Sequence, residues 1–255
     1  MTTVLHQSGC LLCGVELQYH EQAHTMTCSL CGGQFASQAA CGNGHFVCDQ
    51  CHGLPALELI ERTCLASTEQ DPLRLADSLM RNPAIKMHGP EHHFLVPAVL
   101  ITAYCALHGG ERKGEWLAAA RKRADDVKGG FCGFHGACGA AIGGGIACSI
   151  LTGATPLASE GWRLANLMTA ACLTAVGEAG GPRCCKRDTW LSLITAVKFL
   201  NEHLAAGLPS STQPVCSFSA GNRECLATSC RFYPVPALQE ALPDATPAGC
   251  GMPKP

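Results

Sequence analysis

CSLCGGQFASQAACGNGHFVCDQC, residues 28 to 51, decides how the rest of the chain is read. Two CxxC pairs, Cys28 with Cys31 and Cys48 with Cys51, bracket Cys41 and His45, and a third pair, Cys10 with Cys13, lies just upstream. A CxxC pair suits zinc because a tight knuckle turn lets both thiolates meet one tetrahedral ion. Eight candidate ligands, enough for two closed zinc sites, therefore lie within the first 51 residues: Cys10, Cys13, Cys28, Cys31, Cys41, His45, Cys48 and Cys51. An interleaved pairing puts Cys28, Cys31, Cys48 and Cys51 in one site and Cys10, Cys13, Cys41 and His45 in the other. A ribbon pairing of Cys10, Cys13, Cys28 and Cys31 competes with it. A closed site leaves no open coordination position, so its expected work is to fold a segment too small to fold alone.

The part CGNGHFVCDQC, from Cys41 to Cys51, resembles the core of RING-type fingers. The last cysteine pair of that pattern is missing downstream, and a pair stands upstream instead. The resemblance implies a two-zinc module and not ubiquitin-ligase activity.

Outward from this module the chain changes character. No lysine or arginine precedes Arg62, and a turn at HGLP, His52 to Pro55, leads into the apolar ALELIERTCL. The sequence predicts a small zinc-stabilised α+β module over residues 1–55, then a mainly α-helical domain over 56–255 that turns irregular from about residue 209. Asp71 followed by Pro72 is a helix start, and Pro90 plays the same part for EHHFLVPAVLITAYCAL, where Pro97 implies a kink. Glu111 to Val127 reads as a surface helix, Ala137 to Leu151 as an apolar one, and Pro156 as the opening of a helix that ends near Gly177. Asp188 reads as the cap of the last clear helix, whose Trp190, Leu193, Ile194, Val197 and Leu200 share a face.

Composition bounds the function. Charged residues are 15% and hydrophobic ones 47%, the balance of a chain with a buried core. The net charge of -2 and the absence of basic residues in the zinc module count against nucleic acid. No apolar run reaches membrane length, and no basic-then-apolar leader is visible, so a cytoplasmic location is expected. Nineteen cysteines, several as CxxC pairs, favour metal ligation over a disulfide framework. No dinucleotide fingerprint, phosphate-binding loop or nucleophile elbow is present.

Three loops of the second domain carry the reactive side chains. MHGPEHH holds His88, Glu91, His92 and His93; Gly89 and Pro90 put a helix start inside it, which breaks the inverted zinc-peptidase motif it spells. GGFCGFHGACGAAIGGG sets Cys132, His135 and Cys138 in a glycine-rich turn before an apolar helix. GEAGGPRCCKRD places Cys184 and Cys185 among Arg183, Lys186 and Arg187, and such cations beside a helix start predict a lowered thiol pKa. Adjacent cysteines point in different directions, so one of the two is expected to ligate while the other reacts. All three loops open apolar helices, which suggests one shared pocket. A fourth group, Cys216, Cys225 and Cys230, suits an iron–sulfur cluster with a fourth ligand from elsewhere, or another zinc. Cys64, Cys105, Cys148 and Cys172 sit in apolar segments and read as core.

GHFVCDQCH, MHGPEHH, CGFHGACGAA, GGPRCCKR and the final C-x8-C-x4-C group together resemble an uncharacterised cysteine-rich family of anaerobic bacteria and archaea, domain of unknown function 5714. The resemblance implies an oxygen-poor setting and supplies no mechanism. The leading expectation is a metal-dependent enzyme of redox, sulfur-transfer or related group-transfer chemistry. In it Cys132 and Cys138, joined by Cys184 or Cys185, bind a cluster or a catalytic metal. His88, Glu91, His92 and His135 serve as proton donors or substrate ligands, and Arg183 orients an anionic group. The substrate is a small molecule or protein of redox or sulfur metabolism. The alternative is a non-catalytic zinc-stabilised adaptor, or a carrier of metal or sulfur to a partner enzyme.

Overall fold

The computed structural model describes residues 10, 15–48, 51, 55–210 and 212–234. Strand β1 (Leu17–Thr27) and strand β2 (Gln34–Cys41) pair antiparallel, with Leu17 opposite Cys41 and Thr27 opposite Gln34. Burial alternates along β2, the period-two signature of a strand with one face covered. The turn that closes the hairpin is a cysteine knuckle. Gly32 N–H donates to the Cys28 carbonyl and Cys28 N–H to the Gly33 carbonyl, both at 2.8 Å. The hairpin thus carries candidate ligands at its tip, Cys28 and Cys31, and at the end of β2, Cys41.

The helices follow in order: α1 (Ala56–Ala66), α2 (Pro72–Arg81), α3 (Glu91–His108), α4 (Lys113–Asp125), the one-turn α5 (Phe131–Phe134), α6 (Gly139–Leu151), α7 (Ser159–Glu178) and α8 (Cys185–Leu204). The fold is therefore the expected one, a small β module carrying clustered cysteines ahead of a mainly helical region. Among the described residues the hairpin holds the only strands. No helix there is long and apolar enough to cross a membrane.

Asp71 caps α2 as its sequence requires, its carboxylate accepting from Leu73 N–H and Arg74 N–H, with Pro72 at the first helical position. α3 is apolar on nearly every side from Phe94 to Cys105 and is buried accordingly. It is the axle of the bundle, with α1, α2, α4, α6 and α8 packed on it. α6 reaches it closely because Gly143 has no side chain. A Cβ there would stand 2.8 Å from Pro97 Cδ and 3.0 Å from the His93 carbonyl oxygen. α7 lies outermost and buries only the stripe Leu164, Met168 and Cys172, one residue per turn. Cys64, Cys105, Cys148 and Cys172 are buried core residues as expected, and burial pushes their thiols up.

Two helix starts differ from the sequence reading. α7 begins at Ser159, not at Pro156, which lies in the preceding turn. α8 begins at Cys185 with Cys184 at its N-cap position, so Asp188 lies inside the first turn. From there the Asp188 carboxylate reaches back to accept the Cys184 N–H. It pairs with the Arg187 guanidinium at 3.0 Å, with both side chains buried.

Beyond α8 the described residues form no regular helix or strand, yet specific contacts order them. Cys216 N–H donates to the Phe232 carbonyl at 2.7 Å and closes the segment into a loop with two short 3-10 turns, Ser219–Gly221 and Ala227–Ser229. Phe218 and Phe232 flank the buried Trp190 of α8, at ring separations of 5.9 and 5.2 Å. Burying aromatic side chains contributes roughly 1.5–3 kcal/mol each, enough to hold a loop that has no regular structure.

Candidate functional site

The amino-terminal thiols come together first. The ligand atoms of Cys28, Cys31, Cys48 and Cys51 all lie within 4.8 Å of one another, and Cys31 Sγ is 3.9 Å from Cys48 Sγ. A zinc ion with bonds of ~2.3 Å to four sulfurs in a tetrahedron sets those sulfurs about 3.8 Å apart, so the four fit such an ion. Burial alone would raise the Cys28 thiol. The amides of Cys48, Cys31 and Leu30 outweigh burial and bring it down to about 7, as a thiolate ligand needs. Cys10, Cys41 and His45 form a second group, with Cys10 Sγ 3.8 Å from His45 Nδ1. Among the described residues the ligands group along the lines of the interleaved pairing. Cys10 and Cys28 belong to different groups, which excludes the ribbon pairing. Cys13, the expected fourth ligand of the second group, lies outside the described residues.

In the helical region the three loops at helix starts do meet. The turn before α3 is the hub. Lys86 N–H donates to Glu91 Oε1 at 2.8 Å, Gly89 N–H donates to Cys185 Sγ, and His88 Nε2 reaches Asn222 Oδ1 and Glu224 Oε2 at 3.2 Å each. His92 Nε2–H donates to the Lys86 carbonyl at 3.0 Å, so its Nδ1 is the acceptor for the Thr189 hydroxyl at 2.9 Å. Full burial lowers the His92 pKa to about 3 and fixes it neutral. His93 Nδ1–H donates to the Val127 carbonyl at 2.9 Å, and its ring edge fills the space a side chain on Gly139 would need, next to Cys138.

In this fold His92 and Glu91 hold the turn together through these contacts. His88 ties the turn to residues 222 and 224. His135 is exposed and stacks on Phe131 at 4.5 Å, away from the junction. Arg183 is exposed as well.

The adjacent pair Cys184–Cys185 splits two ways. Cys185 faces the hub, where it takes the Gly89 amide and feels the charge of Cys138 and Asp188. Cys138 takes the amides of Ala140 and Ala141 at the start of α6 and feels the charge of Cys132. Cys184 faces the other way, into a small cavity that it lines with Cys216, Cys225 and Cys230. Of the two alternatives expected to join Cys132 and Cys138, Cys185 is the one that neighbours Cys138, while Cys184 is turned to the carboxyl-terminal cysteines.

The expected low thiol pKa is reversed. Burial raises Cys184, pushes Cys138 up to about 11 and pushes Cys185 up to about 12. The flanking cations act weakly on the pair, Arg187 lowering Cys184 and Arg183 lowering Cys185, and burial outweighs them. Lys186 Nζ turns inward to donate to the carbonyls of Met80 and Ile85, at 2.6 and 2.9 Å, and Arg187 is taken by Asp188 and the carbonyls of Gly180 and Pro182.

The sequence reading missed several side chains of the cavity. Asn222 is buried; its Nδ2 donates to Cys184 Sγ at 3.6 Å and its Oδ1 accepts from Glu224 N–H at 3.2 Å. Lys186 lies 4.3 Å over the Phe218 ring and lines the cavity. Trp190 lines it too, with a buried indole N–H that has no hydrogen-bond partner among the described residues. The placing of Asn222 between cysteines in CSFSAGNREC, and of Phe218 and Phe232 at either end, was the available signal.

The profile of a family described as "Family of unknown function (DUF5714)" matches residues 60–233. No curated protein and no solved structure matches the chain.

Proposed function

We propose that this chain, which belongs to the family of unknown function DUF5714, is a metal-dependent redox protein whose chemistry lies in the helical domain. Its amino-terminal thiols hold a structural metal such as zinc. One observation carries the reading: the cysteine pair at the start of α8 puts one thiol into a cavity with three other cysteines and the other thiol against Cys138. A core can be packed without lining one cavity with four thiols. Thiols clustered in this way are suited to metal binding and to electron or sulfur transfer. Cys132, Cys138 and Cys185 then line the face where a small thiol, a disulfide or a sulfur donor would approach, in a reducing, oxygen-poor compartment.

The adaptor reading has one observation in its favour. Cys138, Cys184 and Cys185 are all raised, so none of them is a free reactive thiolate at neutral pH. Titration of oxygen-free protein with dithionite separates the two. The redox reading expects reversible electron uptake that Cys184→Ala abolishes while zinc stays bound. A folded protein that takes up no electrons in either form would leave the adaptor.

A further inference from the structure

We infer that Cys184, Cys216, Cys225 and Cys230 hold a [4Fe–4S] cluster in the cavity between the start of α8 and the loop that follows it. The ligand set is complete within the chain, as four thiols line one space. They also act on one another electrostatically: Cys216 on Cys184, and Cys225 and Cys230 on Cys216. Their spacing separates a cluster from a single ion. Among the described residues, only the two amino-terminal groups have three or more ligand atoms within 4.8 Å of one another. The cavity thiols are spread more widely around an enclosed space, as a cube of iron and sulfide requires and one tetrahedral zinc does not.

The surroundings repeat what metal thiolates need. Phe218 N–H donates to Cys216 Sγ at 3.4 Å and Ala227 N–H to Cys225 Sγ at 3.3 Å, each from two residues further on. The amino-terminal knuckle treats its thiolates similarly, with Cys48 N–H on Cys28 Sγ at 3.4 Å. Asn222 Nδ2–H supplies a side-chain donor to Cys184. Such hydrogen bonds to sulfur stabilise the anionic ligand and tune a cluster's potential. The unpartnered indole N–H of Trp190 is an independent sign of a missing acceptor, because a buried donor normally has one. A sulfide of the cluster is an acceptor that the apolar walls of Trp190, Phe218, Leu226 and Phe232 do not offer.

On assembly each of the four thiols releases a proton, and the four thiolates with the doubly positive core make a dianion. One electron from a low-potential donor reduces the core by one unit and leaves a trianion, with no bond to the protein broken. The charge is met by Lys186, which the cavity holds beside Phe218. Ligation by four protein thiolates closes every iron, so the cluster carries electrons and does not bind substrate. This role rests on the redox reading above, whereas the ligand set does not.

The test is iron and acid-labile sulfide analysis, with electron paramagnetic resonance after dithionite, on full-length protein prepared without oxygen. About four iron and four sulfide atoms per chain are expected, with a half-integer-spin signal on reduction. Cys225→Ser and Cys230→Ser should each lose that iron and sulfide while keeping zinc and far-ultraviolet helicity, and Cys132→Ser should keep all of it. Zinc in place of iron, or loss of the cluster in Cys132→Ser but not in Cys225→Ser, would overturn the assignment. A cluster that is lost as predicted in both loop variants but takes no electron supports the ligand set and sinks the redox reading.

Discussion

His92 shows how one side chain can be read two ways. In the sequence it sits among polar groups at a helix start and resembles a catalytic histidine; in the fold both nitrogens are taken by Lys86 and Thr189. Its pKa falls to about 3, through burial first and the charges of Lys186, His93 and His88 after it. The folded state thus resists a proton that the unfolded chain accepts near 6.5. The stability contributed by neutral His92 is complete above that pH and is lost as the pH falls towards 3, at up to about 1.4 kcal/mol per pH unit. Denaturant melts across this range should show a shallower acid slope in His92→Asn than in the parent. Asp188→Asn tests a neighbouring residue. It strands the buried Arg187 guanidinium, and a loss of about 3–5 kcal/mol in the same melts is expected. Neither contact could be read from sequence. Flanking charges give the chemistry available near Cys184 and Cys185 but not which groups each side chain bonds, and here Lys186 and Arg187 donate to backbone carbonyls of other segments.

At the scale of elements, legibility follows how local the cause is. The start of α2 is written in two adjacent residues, Asp71 and Pro72, and lies where they say. Asp71→Ala should cost about 1 kcal/mol, measured as a shift in the urea midpoint. The CxxC knuckles are equally local, which is why four ligands at the hairpin tip and beyond it were legible from spacing. The start of α8 is set by contacts far off in sequence, and the aspartate that looked like its cap is inside the helix. The loop after α8 looked irregular because it has no period, yet three aromatic rings order it. Close packing of α6 on α3 is another non-local cause. Gly143→Val would drive a branched side chain into Pro97, and a loss on the order of 2–3 kcal/mol should appear as a lower melting temperature.

At the largest scale, the described structure divides into a hairpin module whose clustered cysteines could hold a metal and a helical bundle whose core is ordinary apolar packing around α3. The two should respond differently to a strong chelator. Removing metal from the hairpin is expected to unfold that module and leave the helical circular dichroism nearly unchanged; collapse of the helical signal would show that the bundle needs the metal too. The cavity ligands come from two places in the chain, Cys184 at the head of α8 and the three cysteines between residues 216 and 230. On the ribosome, then, the hairpin can charge with metal early and the bundle can pack before the last ligands emerge. With the cluster inferred above, cofactor loading would be the final event of biosynthesis, and a product stalled short of Cys230 would fold at its amino-terminal end yet be unable to complete the ligand set of the cavity.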